Sequence, residues 1–330
     1  MKDLIKRTIV RSGVLRAAGR LRGRSAAILM YHSVMEDPSA KEAYLGEIIL
    51  SRKAFRQQME LLARHFHPIS LDQVGQFANG RAEIPDRAVV VTFDDGYTDN
   101  YEVAAPVLNE LGVPATFYAT VDCVDRRVLP WPARLRFCFR NTKKESWTDS
   151  SGKVWPLSSP AQRESALLCS CDECCQLTGA VQEKYVATLS NELDVQVPAD
   201  SGTLMMNYDQ MRTLVRQGHI IGSHTMSHPN MAYVDSDVAR REMIDSKRRL
   251  EEELGSPVLH FAYPCPALSP HWSDATVASS REIGYATAVT TNPGLAREGD
   301  DPLKLKRIGS RETTEALRWA LECAFAGHPR

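Results

Sequence analysis

An apolar run ends in two adjacent acids in the segment Ala88-Val89-Val90-Val91-Thr92-Phe93-Asp94-Asp95-Gly96-Tyr97. This run of β-branched and aromatic residues predicts a buried strand over Val89–Phe93. Because successive side chains of a strand point to opposite sides, Asp94 and Asp95 should diverge where the strand ends. Gly96 then permits a sharp turn close to any bound group.

A second segment, Ile220-Ile221-Gly222-Ser223-His224-Thr225-Met226-Ser227-His228, places two histidines four residues apart after another short apolar run. One turn of helix would aim the rings of His224 and His228 at the same point. One carboxylate and two imidazoles suit a divalent metal and leave a coordination position for water. A second carboxylate beside that water can accept its proton, so the two segments contain the minimum parts of a metal-dependent hydrolase.

Each segment also has a simpler interpretation. An Asp-Asp-Gly sequence alone usually marks a turn that leads into a helix, and two histidines at this spacing also occur by chance in core or surface helices. The presence of both segments, each at the end of a predicted strand, favours the metal site. Ser223, Thr225 and Ser227 could then supply hydrogen bonds that orient the imidazoles.

Short β-rich runs alternate with helical stretches along the chain, which predicts parallel strands joined by crossover helices. Ser51 is a candidate N-cap for a helix through His65, and Gly255 should end a helix that begins at Ser236. Six or seven such units favour a distorted (β/α) barrel of about seven strands over an open sheet, although spacing alone does not separate the two architectures. The predicted strands are Ala26–Tyr31, Val89–Phe93, Pro114–Thr120, His219–Ser223, Leu259–Tyr263, Ala286–Thr291 and Leu303–Ile308.

Residues 123–202 interrupt this rhythm, and we interpret them as an insertion over the active-site face of a single domain that spans residues 25–330. The insertion contains a predicted helix from Ala161 towards Leu193. Four of the eight cysteines of the chain lie on this helix: Cys169, Cys171, Cys174 and Cys175. They could bind zinc, but a straight helix spreads them over different faces, so reduced buried or surface thiols are the favoured interpretation.

The N-terminal residues 1–24 carry eight basic side chains and one acid, with apolar residues at near-helical spacing. They form either a basic amphipathic helix on an anionic membrane surface or, as we slightly favour, a solvated or core-docked helix. They lack the continuous apolar stretch and the cleavage site of a signal peptide. We therefore predict a cytoplasmic protein, with peripheral contact to the inner membrane surface through residues 1–24 as the alternative.

Four motifs occur in order along this strand–helix pattern: Met30-Tyr31-His32-Ser33-Val34, Thr92-Phe93-Asp94-Asp95-Gly96-Tyr97, Gly222-Ser223-His224-Thr225-Met226-Ser227-His228 and Phe261-Ala262-Tyr263-Pro264. In these motifs the chain resembles the polysaccharide deacetylase family, the NodB-homology group of carbohydrate esterases, from Ile28 to about Ile308. The resemblance implies a (β/α) barrel that hydrolyses N-acetyl amides. It also implies that Asp94 is the general base and that Asp95, His224 and His228 are the metal ligands.

The resemblance further implies that a backbone N–H in the segment Tyr263-Pro264-Cys265-Pro266 stabilises the oxyanion. Since proline has no N–H, this donor would be Cys265. The chain departs from the family pattern in three ways. Cys265-Pro266 replaces Tyr-Gly, no arginine lies near Ala262, and the last predicted strand, Leu303–Ile308, lacks a Leu-x-His motif. The leaving amine could then take its proton from His271 or from Asp94 itself. The third alternative is that the site has no dedicated proton donor. His271 is more simply a solvated loop residue.

Other residues could contact the substrate. His32 follows the first strand and either faces the barrel mouth or is a satisfied barrel-end histidine. Arg307 could pair with Asp94, contact the substrate or form an exposed ion pair. Aromatic rings stack on the apolar faces of sugars, which makes candidates of Tyr97, Trp131 and Tyr263, with Trp131 as the predicted substrate wall.

Three functions follow from these observations. The leading hypothesis is a zinc-dependent hydrolase (Co²⁺, Ni²⁺ or Fe²⁺ would also fit the ligand types). It would remove N-acetyl groups from an N-acetylhexosamine-containing polysaccharide or glycolipid precursor. The alternatives are an amide or formamide hydrolase acting on a lipid-linked sugar, and a catalytically impaired glycan-binding member of the same fold. Because 40 basic residues balance 41 acids, no global field favours nucleic acid as a partner.

Overall fold

The computed structural model describes residues 8–10, 12–37, 49–197 and 204–328. Its central feature is a closed barrel of seven parallel strands, as the sequence predicted. We number the barrel strands β1 (Ala26–Tyr31), β2 (Ala88–Phe93), β3 (Ala115–Ala119), β4 (Ile220–Ser223), β5 (His260–Ala262), β6 (Thr287–Pro293) and β7 (Leu305–Gly309).

Each barrel strand pairs with its neighbours in chain order, and β1 closes the barrel by pairing with both β2 and β7. In the closing pairs Tyr31 lies opposite Phe93, and Leu29 opposite Ile308. This order is what successive strand–helix–strand crossovers of one hand produce. The last strand begins at Leu305 rather than at the predicted Leu303, because Pro302–Lys304 form a 3₁₀ turn.

Helices cover the outside of the barrel, and the predicted helix ends are confirmed at several points. The Ser51 hydroxyl accepts the Ala54 N–H at the start of one helix, and Gly255 ends another with φ 66°. The helices are α1 (Val14–Arg20), α2 (Arg52–His65), α3 (Leu71–Ala78), α4 (Ala105–Leu111), α5 (Val121–Arg126), α6 (Trp131–Asn141), α7 (Pro160–Cys174), α8 (Gly179–Glu192), α9 (Tyr208–Arg216), α10 (Ser236–Leu254), α11 (Asp274–Ile283) and α12 (Thr314–Phe325).

The hydrophobic core lies on both sides of the barrel wall. Val89, Val91 and Phe93 of β2 belong to the cluster between strands and helices, whereas Val90 belongs to the cluster inside the barrel. Burial on both faces explains why β2 reads as a continuous apolar run instead of an alternating one. Each fully buried side chain of this size contributes about 1.5–3 kcal/mol to stability.

The segment after β3 forms a helical layer with its own hydrophobic cluster, which includes Trp131, Leu135, Phe139 and Trp147. The prediction of one helix from Ala161 towards Leu193 is wrong. Helix α7 ends at Cys174 and α8 begins at Gly179, with Thr178 extended and Gly179 at φ 53°. The Thr-Gly pair therefore interrupts the helix, because Thr178 takes the extended conformation of an N-cap position.

The described part of residues 1–24 contains α1, none of whose residues is buried. This helix lies against α12, where a Cβ on Gly19 would approach the Phe325 carbonyl oxygen to 3.3 Å. Residues 1–7 and 11 lie outside the described residues, so the predicted helix is covered only in part. The division at residue 24 stays a prediction. No helix in the described ranges combines the length and apolar character needed to cross a bilayer.

Candidate active site

The two acids follow β2 and are both buried, at 3% and 5% exposure. The Asp94 N–H donates to the Tyr31 carbonyl of β1 and so extends the pairing of the strands. The chain then turns sharply, with φ 76° at Asp95 and 90° at Gly96. A Cβ on Gly96 would lie 3.3 Å from the Ala119 Cα, so this turn requires glycine. The two carboxylates consequently point to different partners.

Asp94 forms a buried two-pronged ion pair with Arg307 of β7. Nη1 and Nη2 donate to Oδ1 and Oδ2 at 2.7 and 2.8 Å, and Nε donates to the Thr290 carbonyl at 2.9 Å. Burial alone would raise the pKa of Asp94, but the charge of Arg307 and its hydrogen bonds outweigh this effect and hold the pKa below its usual value. Asp94 is therefore ionised at neutral pH. The alternative of an exposed ion pair for Arg307 is wrong, because its side chain is fully buried.

The two histidines lie on a loop after β4, so the prediction of a helical turn is wrong. The loop begins where the His224 N–H donates to the Ala119 carbonyl of β3. Thr225 and His228 both have positive φ, 68° and 63°, and the His228 N–H donates to Oγ1 of Thr225 at 2.9 Å. These left-handed residues fold the loop back on itself and bring the ring centroids within 4.9 Å.

Asp95 and the two histidines meet at one point. Oδ1 of Asp95 lies 3.2 Å from Nε2 of His228 and 3.6 Å from Nε2 of His224. Nδ1 of His224 is 2.8 Å from the Ala262 carbonyl oxygen. Since only a protonated nitrogen can donate there, the Nε2 lone pair of His224 is left facing Asp95. Burial lowers the pKa of His224 to about 4, which keeps the ring neutral.

This donor set fits a divalent cation. Asp95 Oδ1 is buried and has no hydrogen-bond partner among the described residues, which is costly without a ligand. Two tetrahedral ligands about 2.1 Å from a zinc ion are roughly 3.4 Å apart, and the observed 3.2 and 3.6 Å bracket this value. Burial alone would raise the pKa of Asp95, but the interaction with His228 has a larger effect in the opposite direction. The net pKa lies below its usual value, so the carboxylate is ionised.

A cavity of about 390 Å³ opens over these groups. Two of its walls come from the carboxyl ends of the barrel strands and from helix α6 of the segment after β3. The lining residues are Met30, His32, Asp94, Asp95, Tyr97, Pro130, Pro132, Ala133, Arg136, His224, His228, Cys265, Pro266 and Thr291. Both acids and both histidines are thus accessible from one opening.

The sequence profile described as "Polysaccharide deacetylase" matches residues 81–145 and 177–288, more than half of the chain. The chain belongs to the polysaccharide deacetylase family. The resemblance seen in the four motifs is therefore confirmed. As a family member, this deacetylase-type chain is a hydrolase of carbon–nitrogen bonds other than peptide bonds.

Two curated relatives are informative. The putative polysaccharide deacetylase YxkH of Bacillus subtilis is 21% identical over 282 residues, which cover 85% of this chain and 70% of that protein. The poly-beta-1,6-N-acetyl-D-glucosamine N-deacetylase of Escherichia coli is 31% identical over 98 residues, 29% of this chain and 14% of that protein. The second match thus concerns a small part of a much longer relative.

Two solved structures share the fold of this deacetylase-family chain. The Streptococcus pyogenes deacetylase PplD, in complex with acetate, superposes with a TM-score of 0.59 at 20% identity and covers 89% of this chain and 96% of that one. IcaB from Ammonifex degensii gives a TM-score of 0.56 at 20% identity, with 92% and 97% covered. At this identity the likeness concerns the fold.

Two predicted sugar platforms of this deacetylase-family member are wrong, because their rings are buried. Trp131 is 1% exposed, and its Nε1 donates to the His228 carbonyl at 2.9 Å. It therefore holds the loop that carries the two histidines and does not face the cavity. Tyr263 is fully buried. Its hydroxyl lies 3.0 Å from Oγ of Ser280 and donates to the Leu303 carbonyl at 3.1 Å. Neither ring can stack on a sugar in this arrangement.

Three other predicted residues do line the cavity. His32 follows β1 and is partly exposed, with its carbonyl accepting from Nδ2 of Asn100 at 2.6 Å. Tyr97 lies beside Asp95, and burial together with that carboxylate raises the pKa of its hydroxyl. Cys265 is exposed in the cavity wall, and its N–H donates to no residue in the described ranges.

His271 is not the solvated loop residue that the sequence suggested. It is 5% exposed, and its Nε2 accepts the Thr291 N–H at 3.0 Å. Burial lowers the pKa of its ring to about 4. The ring is therefore neutral and occupied with the backbone of β6, and it does not line the cavity.

The four thiols of the cysteine cluster do not meet at one point in the described part of the chain; Cys169 alone lies near two possible ligands, the carboxylates of Asp149 and Glu173. Cys171, Cys174 and Cys175 are buried in the helical layer, and burial raises the pKa of Cys171 and of Cys175 to about 12. Protonated thiols are poor zinc ligands. The favoured interpretation as buried thiols fits this placement.

Sequence reasoning missed two residues near the site. Arg136 of α6 lines the cavity mouth, and Glu242 of α10 contacts the histidine loop from the side away from the cavity. Both lie on helices rich in charged residues, where nothing in the spacing distinguishes them from solvated side chains.

Proposed function

We propose that this chain is a metal-dependent de-N-acetylase that acts on an N-acetylhexosamine-containing polysaccharide or glycolipid precursor. The observation that carries the proposal is the buried Oδ1 of Asp95, which faces the Nε2 atoms of His224 and His228 and has no hydrogen-bond partner in the described part of the chain. The neighbouring Asp94 is ionised and lines the same cavity without joining this group.

Asp95, His224 and His228 would hold the cation. One carboxylate oxygen and two imidazole nitrogens suit Zn²⁺, and Co²⁺, Ni²⁺ or Fe²⁺ would accept the same donors. When bound, the ion would polarise the acetyl carbonyl and lower the pKa of the attacking water.

In this proposal Asp94 takes the proton of the attacking water. Arg307 holds the Asp94 carboxylate in one orientation with two hydrogen bonds, so the base is preorganised. Cys265 lies in the cavity wall, and its N–H, which has no acceptor among the described residues, would donate to the developing oxyanion. Cleavage of the carbon–nitrogen bond then leaves an acetate and an amine that needs one proton.

His32 is the titratable group best placed to deliver that proton. It lines the cavity and does not belong to the Asp95–His224–His228 group. His271, the earlier candidate, is buried against Thr291. Histidine is the side chain that most often transfers protons in enzymes.

The test is release of acetate from N-acetylglucosamine oligosaccharides by the purified, zinc-loaded protein. Acetate release that stops after chelation and returns with zinc is expected. Release of formate from an N-formyl sugar, without release of acetate, would favour the alternative of a formamide hydrolase. Binding of the oligosaccharide with no release of either acid would indicate an impaired glycan-binding protein.

Contact of residues 1–24 with a membrane stays a prediction.

Replacement of Arg307 by methionine is expected to shift the acid limb of the pH dependence of kcat/KM to higher pH. The Arg307 charge lowers the pKa of Asp94 in the folded protein. The ion pair therefore stabilises the fold above the pKa that Asp94 has in the unfolded chain, and this stabilisation is lost as the pH falls through the pKa of Asp94 in the folded protein. Without the guanidinium, burial raises this pKa, and the unpaired carboxylate should cost about 3–5 kcal/mol of folding free energy. Arg307→Lys keeps the charge and should shift the limb less; an unmoved limb in Arg307→Met would contradict the pairing.

Replacement of His32 by glutamine is expected to lower kcat about 10²-fold or more, the usual effect of losing a positioned proton donor. Zinc affinity should stay native, because His32 lies outside the group of ligands. Stopped-flow turnover and a zinc titration on the same sample measure both. An unchanged kcat would mean that the amine takes its proton from another group.

A further inference from the structure

Glu242 of α10 is a buried acid behind the histidine loop. It is 7% exposed, and no lysine, arginine or histidine among the described residues forms an ion pair with it. Its carboxylate instead accepts three hydrogen bonds from the loop. Oε2 accepts the N–H groups of Met226 and Ser227 at 2.8 and 2.9 Å, and Oε1 accepts the Ser227 hydroxyl at 2.7 Å.

The two amides that Glu242 binds lie between the two left-handed residues of the loop. Thr225 and His228 have φ of 68° and 63°, a conformation that side-chain-bearing residues rarely adopt unless their surroundings impose it. Since Met226 and Ser227 connect these positions, holding their N–H groups fixes the turn that places His224 and His228 on the same side.

The other contacts of the loop act on different atoms. The carbonyls of Thr225 and Met226 accept the N–H groups of Val121 and Asp122 at the start of α5. The N–H of His228 is held within the loop by Thr225. Glu242 alone satisfies the two central amides among the described residues, and buried N–H groups without a partner are costly.

We propose that Glu242 is a positioning residue that holds the loop in the conformation in which both Nε2 atoms face Asp95, and that it thereby sets the metal affinity of the site. This inference rests on the proposed function for the identity of the group that is bound. Glu242 does not line the active-site cavity and takes no part in the chemistry.

The chemistry of the contact defines two informative variants. In Glu242→Gln the side-chain carbonyl can accept both amides in place of Oε2, and the amide group can donate to the Ser227 hydroxyl, which is able to accept. Glu242→Met has a similar volume and retains only the thioether sulfur, a weak acceptor. The pair therefore separates loss of the hydrogen bonds from loss of the charge or of packing.

Zinc affinity, measured by competition with a chromogenic chelator, is the first readout. Glu242→Met should bind zinc about 10–100-fold more weakly, the usual effect of losing an outer partner of a metal ligand, whereas Glu242→Gln should stay close to native. Glu322 of α12 is a matched control, because it is also a buried carboxylate but pairs with Arg87 away from the cavity. Glu322→Met should lower the melting temperature and leave zinc affinity unchanged.

Hydrogen–deuterium exchange of the metal-free proteins is the second readout. The Met226 and Ser227 amides should exchange faster in Glu242→Met than in the native protein, in Glu242→Gln or in Glu322→Met. If Glu242→Met does not fold, Glu242→Asp, which withdraws the carboxylate by one methylene, should show the same two effects to a smaller degree.

The proposal is overturned if folded Glu242→Met binds zinc with native affinity, or if its two amides remain protected. A weakening no larger than that of Glu322→Met would also overturn it. If the native protein binds no zinc, the proposed function fails together with the claim on affinity. The exchange data still decide whether Glu242 holds the loop.

Discussion

Asp94→Asn is expected to bind zinc with native affinity and to lose turnover by about 10²–10⁴-fold, the range for removal of a general base. Asparagine keeps the shape of the side chain but cannot take a proton from water at neutral pH. Zinc affinity should not change, because the cation would be held by Asp95, His224 and His228 instead. Acetate release and a zinc titration on one preparation measure both quantities.

Asp99→Asn is the matched control for this variant. Asp99 is also buried shortly after β2, but its carboxylate accepts from the Ser33 hydroxyl and the Val34 N–H and does not line the cavity. This control should lose some stability and keep turnover. If Asp94→Asn retains native turnover, Asp94 is not the base.

His228→Ala should weaken zinc binding by more than the 10–100-fold that loss of an outer partner costs, since it removes a ligand itself. Turnover at a fixed low zinc concentration should fall in parallel. Part of the lost turnover should be recovered at high zinc concentration, where the ion can bind to the two remaining ligands. Isothermal titration with zinc and acetate release across zinc concentrations test both statements.

His219→Gln provides the control for loss of a buried imidazole. Nδ1 of His219 accepts the Ala115 N–H at 3.2 Å, and its ring lies outside the cavity. This variant should change the melting temperature without changing zinc affinity. Equal zinc affinity in His228→Ala and in the native protein would remove His228 from the site.

Local patterns predicted the fold well. The apolar runs gave strands at Ala26–Tyr31 and near Val89–Phe93, and helix ends at Ser51 and Gly255 followed from capping chemistry. The alternation of strands and helices predicts parallel strands and favours a barrel, but the resemblance to the family was needed to set the barrel apart from an open sheet. The sequence does not reveal the break between α7 and α8, because an isolated glycine such as Gly179 is tolerated within a helical pattern.

The contacts that define the site are less accessible to sequence reasoning. Arg307 and Asp94 are 213 positions apart, so the sequence offers their pairing only as one of three alternatives for Arg307 and does not choose between them. The histidine loop depends on positive φ at Thr225 and His228, which residue type disfavours and tertiary contacts impose. The burial of Trp131 likewise depends on the packing of the inserted helices.

The central claim is that one cation binds between Asp95, His224 and His228 while Asp94 remains beside it as a free base. Anomalous scattering from a zinc-soaked crystal, recorded at the zinc edge, tests this directly. We expect a single strong peak about 2.0–2.2 Å from a carboxylate oxygen of Asp95 and from both Nε2 atoms, with Asp94 still paired to Arg307. A peak at another site, or one bonded to Asp94 in place of Asp95, would contradict the account.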